Sequence, residues 1–219
     1  MQLTEIKSCE SPSALLGDLH PLLDQLGSAE GLITLAEAVG LLRVPEVRNL
    51  ETLLTFLAAY KSELLLTVEL PCIQKAYDHA CGNQTRELIA LDRAVDKLAV
   101  APEFASASRR IGRWQLRRLR PLRYERVAQR YLKAVEDTRA NGWHTLVFGL
   151  TLALYSVPVR QGLLNYAQYT LRGFVYGAAT ALALSETSCR ELVQSFCEDI
   201  PARLETLLNG KNSSGLHSV

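Results

Sequence analysis

The chain has 219 residues, 48% of them hydrophobic and 21% charged, with a formal net charge of +1. That balance excludes a disordered polyelectrolyte and gives no global attraction to nucleic acid or anionic lipid. The length is enough for one domain to bury roughly 70% of its unfolded surface.

The N-terminal "MQLTEIKSCESPS" carries Glu5 and Glu10 and lacks the apolar run of a signal peptide. Residues 1–13 read as an extension, 14–208 as one domain and the polar end, 209–219, as a disordered tail. Helical periodicity dominates the domain. From Asn49, a good N-cap, Leu50, Leu53, Leu54, Leu57, Tyr60, Leu64 and Val68 advance in steps of three and four until Pro71, where the helix is expected to stop. After Thr85 the stripe Leu88, Leu91, Val95, Leu98 predicts another helix. Next comes the run from Arg109 to Arg130, read as two helices broken at Pro121, with Ile111, Trp114, Leu119 and Leu122 on the buried side.

"GWHTLVFGLTLALYSVPVR" is almost bare of charge, and twenty residues separate Arg139 from Arg160. Asn141, His144 and Pro158 cut the strongly apolar part to about a dozen positions, the length of a buried core helix rather than a membrane span. "GFVYGAATALAL" is shorter still, and the two read as central helices of a bundle. Ser188 and Glu191 have capping-box spacing and predict a helix carrying Leu192, Phe196, Ile200, Leu204 and Leu207, kinked at Pro201. No segment alternates as a strand would. The expected fold is all-α: a single-domain bundle of about eight to ten helices.

Few residues suggest chemistry. The five cysteines are odd in number and include no C-x-x-C pair, which reads as reduced thiols in a cytoplasmic protein. Cys72, His79 and Cys81 lie close together, but residues two apart on a helix diverge, and core thiols beside a surface histidine are the better reading than a metal site. "GKNSSG" lacks the upstream glycine of a phosphate loop. No catalytic, cofactor-binding or metal-ligating set emerges, and the chain reads as a non-enzyme. The most distinctive feature is the basic run, nine arginines offset by Glu125 alone. It suits a face for carboxylates of a partner protein. The rival readings are an arginine-rich nucleic-acid-binding helix and an all-α enzyme with a buried pocket.

Three segments resemble the urease accessory protein F (UreF) family, and the likeness extends over about Ala14 to Leu208. "ELIALDRAVDKLAVAPEFASASRRIGRWQLRRL" is similar to that family's Leu-Asp helix followed by Ser-x-x-x-Gly, here Ser108 and Gly112. "NGWHTLVFGLTLALYSVPVRQGLLNYAQYTLRGFVYGAATALAL" is similar to its G-H-H-x-x-x-F-G helix, proline turn and small-residue helix, with Gly142, His144, Phe148, Gly149, Pro158, Leu163, Leu164 and Tyr166 matching. "GSAEGLITLAEAVGLL" is similar to a segment near the family's start. Departures are Trp143 for the first histidine, and Thr180, Ser185, Glu186 and Cys189 within "TALALSETSCR", where the family has an arginine, Gly-Gln and a glycine.

The resemblance implies an all-α homodimer without a catalytic site or cofactor. It would link a scaffold accessory protein (D or H) to a GTPase (G) during nickel insertion into apo-urease. Arg109, Gly112, Arg113, Arg117, Arg120, His144, Gly149 and Tyr166 are the expected partner-interface residues, the arginines presenting charge while Tyr166 and Gly149 organise the central helices. A diverged interaction protein that kept the UreF fold is a further alternative.

Overall fold

The computed structural model describes Leu42, Val44 and residues 47–214, apart from 98–101 and the side chains of 102–103 and 210–214. The segment "GSAEGLITLAEAVGLL", except for Leu42, and the expected extension at 1–13 lie outside the described residues. Every described element is helical. In chain order they are α1 (Leu50–Ala59), a π-helical segment (Tyr60–Glu69), α2 (Leu70–Cys81), α3 (Thr85–Val95), α4 (Pro102–Arg118), α5 (Arg126–Glu136), α6 (His144–Leu154), α7 (Val159–Ala179), α8 (Glu186–Cys197) and α9 (Ile200–Ser214).

Asn49 does cap α1: its side chain accepts the Thr52 N–H while the Thr52 hydroxyl oxygen accepts the Asn49 N–H. The expected stop at Pro71 is overturned. The rod runs from Leu50 through Pro71 to Cys81 because the turns before the proline widen. The Leu70 N–H bonds five residues back to Leu65 O, and the Thr67 hydroxyl five back to Ser62 O at 2.5 Å. A proline in a regular α-helix collides with the carbonyl four residues earlier, and the wider π ladder makes room for it.

Helix α6 is the spine. His144 to Leu150 and Leu152 are all buried, and α6 packs most extensively on α2 and then on α4. These two inner helices contribute to both apolar clusters of the core. Ile73, Phe148 and Leu152 join the cluster built with α1, α7, α8 and α9. Ala76, Val147 and Leu150 join the one built with α3, α4 and α5. The reading of "GWHTLVFGLTLALYSVPVR" as a buried helix therefore holds, and no helix among the described residues is long and apolar enough to cross a membrane.

Three local expectations change. Helix α8 begins at Glu186, not after Ser188: Ser185 is extended (φ −74°, ψ 157°) and its hydroxyl accepts the Ser188 N–H at 3.1 Å. Pro201 interrupts rather than kinks, since Glu198 and Asp199 form a turn and Pro201 falls at the start of α9, where its missing N–H is harmless. Trp114, expected on the buried side of α4, is 46% exposed, and Leu116 is the buried residue.

Candidate functional site

The loop before α6 is held by one carboxylate. Asp92 sits in the α3 stripe between Leu88 and Val95 and is fully buried. It accepts the Tyr131 hydroxyl at 2.6 Å, the Asn141 N–H at 2.6 Å and the Gly142 N–H at 2.9 Å. Three donors on one carboxylate offset the large penalty of burying charge. Gly142 has φ +77°, a left-handed conformation natural to glycine, and this turns its N–H toward Asp92.

From that loop a buried polar relay crosses the molecule. Ser108 of α4 lies 2.7 Å (Oγ) from His144 Nδ1, and His144 Nε2 is 2.7 Å from the Tyr166 hydroxyl. Tyr166 in turn donates to Glu69 Oε2 at 3.2 Å, and Tyr60 donates to the same oxygen at 2.6 Å. None of the five side chains' residues is more than 3% exposed. Two of the proton positions follow from valence. A carboxylate only accepts, so Tyr166 spends its proton on Glu69 and its oxygen takes the Nε2–H of His144. The other ring nitrogen, Nδ1, shares the remaining hydrogen bond of the relay with the Ser108 hydroxyl. Burial, reinforced by the Glu69 charge, pushes the Tyr60 and Tyr166 phenols well above their ordinary range, and burial beside Asp92 does the same to Tyr131. The Ser108–His144 pair has the spacing of a nucleophile and base, yet both lie in the interior, where their partners are other helices.

The same contact fixes α4. A Cβ on Gly112 would lie 2.1 Å from Gly142 O and 2.7 Å from His144 N, so only glycine permits the approach of α4 to the loop. Arg113 Nε donates to Asn141 O at 2.8 Å, and the Arg109 guanidinium sits 5.3 Å from the centre of the buried Trp143 ring.

The opposite side of α4 is open. Ser106, Arg109, Arg110, Arg113 and Arg117 line a groove of about 390 Å³. The Arg117 side chain has no hydrogen bond or ion pair among the described residues, Arg109 approaches Asp96 at 3.7 Å, and Arg120 pairs with Glu136. The eight expected interface residues thus fall into two groups. Arg113, Arg117 and Arg120 are exposed and Arg109 half-buried, whereas Gly112, His144, Gly149 and Tyr166 are interior. Gly149 has the backbone of α2 against it, with Ile73 O 2.3 Å from a Cβ built there.

Among the described residues no group of three His, Cys, Asp or Glu side chains is arranged to hold a metal ion. Burial raises the Cys72 thiol to about 11, leaving it protonated at neutral pH. His79 bonds Gln84 at 2.8 Å instead of turning toward either cysteine.

Sequence reading gave no site role to Glu69, Asp92, Tyr60 or Tyr131, Tyr60 counting only as part of an apolar stripe. A signal existed for the first two: each is a lone carboxylate at a core position, Asp92 in step with Leu88 and Val95 and Glu69 in the apolar "LLLTVELPC".

The molecule is thus an all-α domain whose interior polar groups register its helices and whose α4 presents a cationic groove. A family model for UreF matches residues 47–196, more than half of the chain. The chain belongs to the UreF family, a family of urease accessory proteins and not of catalysts. No curated protein matches it.

Proposed function

We propose that this chain is a non-enzymatic assembly factor that joins a scaffold accessory protein (D or H) to the GTPase (G) on apo-urease during nickel insertion. It acts as a cytoplasmic homodimer, with the metal held by its partners. Family membership supports the urease accessory role. The observation that carries the contact mode is the exposed arginine row of α4, held on a helix whose other side is locked to the α6 loop. Guanidinium groups on a fixed support lose little freedom on pairing with carboxylates, which favours a protein partner of opposite charge. The Ser185–Glu186 segment fits a helix cap: Ser185 starts α8, and Glu186 accepts the Tyr176 hydroxyl at 2.9 Å.

Affinity capture with the tagged chain tests the reading. Wild type retains the D/H and G accessory proteins from urease-producing cells. Arg113→Glu with Arg117→Glu loses them while staying folded, its melt lowered only by the roughly 2–4 °C that the lost Arg113–Asn141 bond accounts for. Full retention by that double variant removes the arginine row from the mechanism.

A further inference from the structure

The row of arginines is straight and single-file, and its neighbours narrow what it can take. Arg110, Arg113 and Arg117 follow one another at helical spacing along the exposed side of α4, a span of roughly 10 Å at 1.5 Å per residue. Beside them Trp114 is 46% exposed, with the Arg118 guanidinium 5.0 Å from its ring centre. The other tryptophan, Trp143, is 3% exposed. An open tryptophan flanked by arginines is the composition found at the energetic centres of protein interfaces. A single-stranded nucleic acid would need aromatic faces open to bases along the groove. No aromatic residue lines it, and one side of the Trp114 ring is taken by Arg118.

We propose that the α4 groove binds an acidic amphipathic helix of a partner protein. Carboxylates one turn apart on that helix face Arg110, Arg113 and Arg117, and an apolar side chain from its next face covers Trp114. A helix matches because its own i, i+4 spacing repeats at the same rise as the arginines. Arg113 brings pre-set geometry, since its Nε is already bonded to Asn141 O and its position is fixed before the partner arrives. The inference rests on the reading of the arginine row as a protein-binding face and adds the form of the partner element.

The test uses the full chain and two synthetic peptides of about fifteen residues, long enough to form helix. One has glutamates at one-turn spacing with a leucine on the adjacent face; the other has the same composition in scrambled order. The patterned peptide is expected to bind at least tenfold more tightly and to change the tryptophan fluorescence. Trp114→Ala and Arg113→Glu/Arg117→Glu each weaken it about tenfold or more, the first with an unaltered melt and the second with a melt lowered only by the roughly 2–4 °C of the lost Arg113–Asn141 bond. Equal binding of both peptides overturns helix recognition. Tighter binding of a DNA duplex of equal charge, with steep salt dependence, overturns a protein partner altogether. If neither peptide binds while the double variant still loses its accessory proteins in affinity capture, the helix proposal fails and the assembly reading stands. If the patterned peptide binds through these residues while the wild type captures no accessory protein, the docking groove stands and the assembly reading fails.

Discussion

Replacing Gly112 by alanine puts one methyl group where three backbone atoms already sit. The new Cβ would be 2.1 Å from Gly142 O, 2.7 Å from His144 N and 2.8 Å from Trp143 C, whereas ordinary contact begins at 3.4 Å. No side chain can swing aside, so α4 and the loop must separate by more than 1 Å. That movement stretches both hydrogen bonds spanning the same contact, Ser108 to His144 at 2.7 Å and Arg113 Nε to Asn141 O at 2.8 Å. Overpacking costs about 1–3 kcal/mol, and the two bonds about 1 kcal/mol each in net stability. Alanine's better helix propensity returns about 1 kcal/mol, so the net loss is about 2–4 kcal/mol. At roughly 2–4 °C per kcal/mol for a domain of this size, the melting temperature falls by roughly 5–15 °C. Thermal and urea unfolding followed by circular dichroism measure both quantities. A Gly112→Ala protein melting with the wild type would refute the close approach of α4 to the loop.

Other perturbations follow from the same geometry. Gly149→Ala meets the α2 backbone, Ile73 O at 2.3 Å, and should lose about 1–3 kcal/mol. Gly162→Ala meets side-chain rather than backbone atoms, the two methyls and Cγ of Leu152, and should stay within about 1 kcal/mol of wild type by urea unfolding once that side chain turns. Asp92→Asn leaves one amide oxygen for three donors, and we expect about 2–3 kcal/mol of destabilisation, with faster hydrogen exchange at the Asn141 and Gly142 amides. The buried phenols Tyr60, Tyr131 and Tyr166 have folded pKa values raised above the usual 10.0, so the folded state holds their protons more tightly than the unfolded chain. Their stabilising effect is complete below pH 10 and is lost as pH rises through the folded values. In an alkaline titration their tyrosinate absorbance should appear only together with loss of helical circular dichroism; ionisation of all tyrosines in a still-folded protein would contradict their burial.

The helices were legible because apolar spacing reports burial directly. The Asn49 cap and the bare stretch from Gly142 to Arg160 located α1 and the spine α6 without any tertiary information. What escaped depended on contacts distant in sequence. Pro71 reads as a stop because the local rule counts only the lost N–H and the clash, while the widened π ladder that accommodates it is stabilised by packing of Leu64, Leu65 and Leu70 in the core. Ser185 and Ser188 both offer a capping hydroxyl, and only the backbone angles decide between them. Trp114 looked like a core residue by composition, yet on α4 it stands next to Arg113 on the outward side. The arginine row itself was plain in the sequence, but its split into anchored Arg109 and Arg113 and outward Arg117 required the Trp143 and Asn141 contacts, about thirty residues away in the chain.

The buried relay and the arginine row belong to one argument about rotation. Apolar packing is non-directional, and Ile111, Leu116 and Leu119 would remain buried over a range of rotations of α4 about its axis. Hydrogen bonds admit far less latitude. Pro71 forces the wide ladder, and the ladder carries Glu69 into the interior, where its charge needs donors from Tyr60 and Tyr166. Once Tyr166 has donated, it can only accept from His144, and the other ring nitrogen of His144 then pairs with Ser108. Ser108 therefore sits at one angular position on α4, and Gly112, one turn on, lets the helix come close enough to keep it there. Ser108 and the outward arginines occupy opposite sides of the same helix, so fixing the first fixes the second. A buried charge is a poor way to add stability. Here its consequence is directional, because a constraint that begins at Pro71 determines which guanidinium groups α4 shows to a partner.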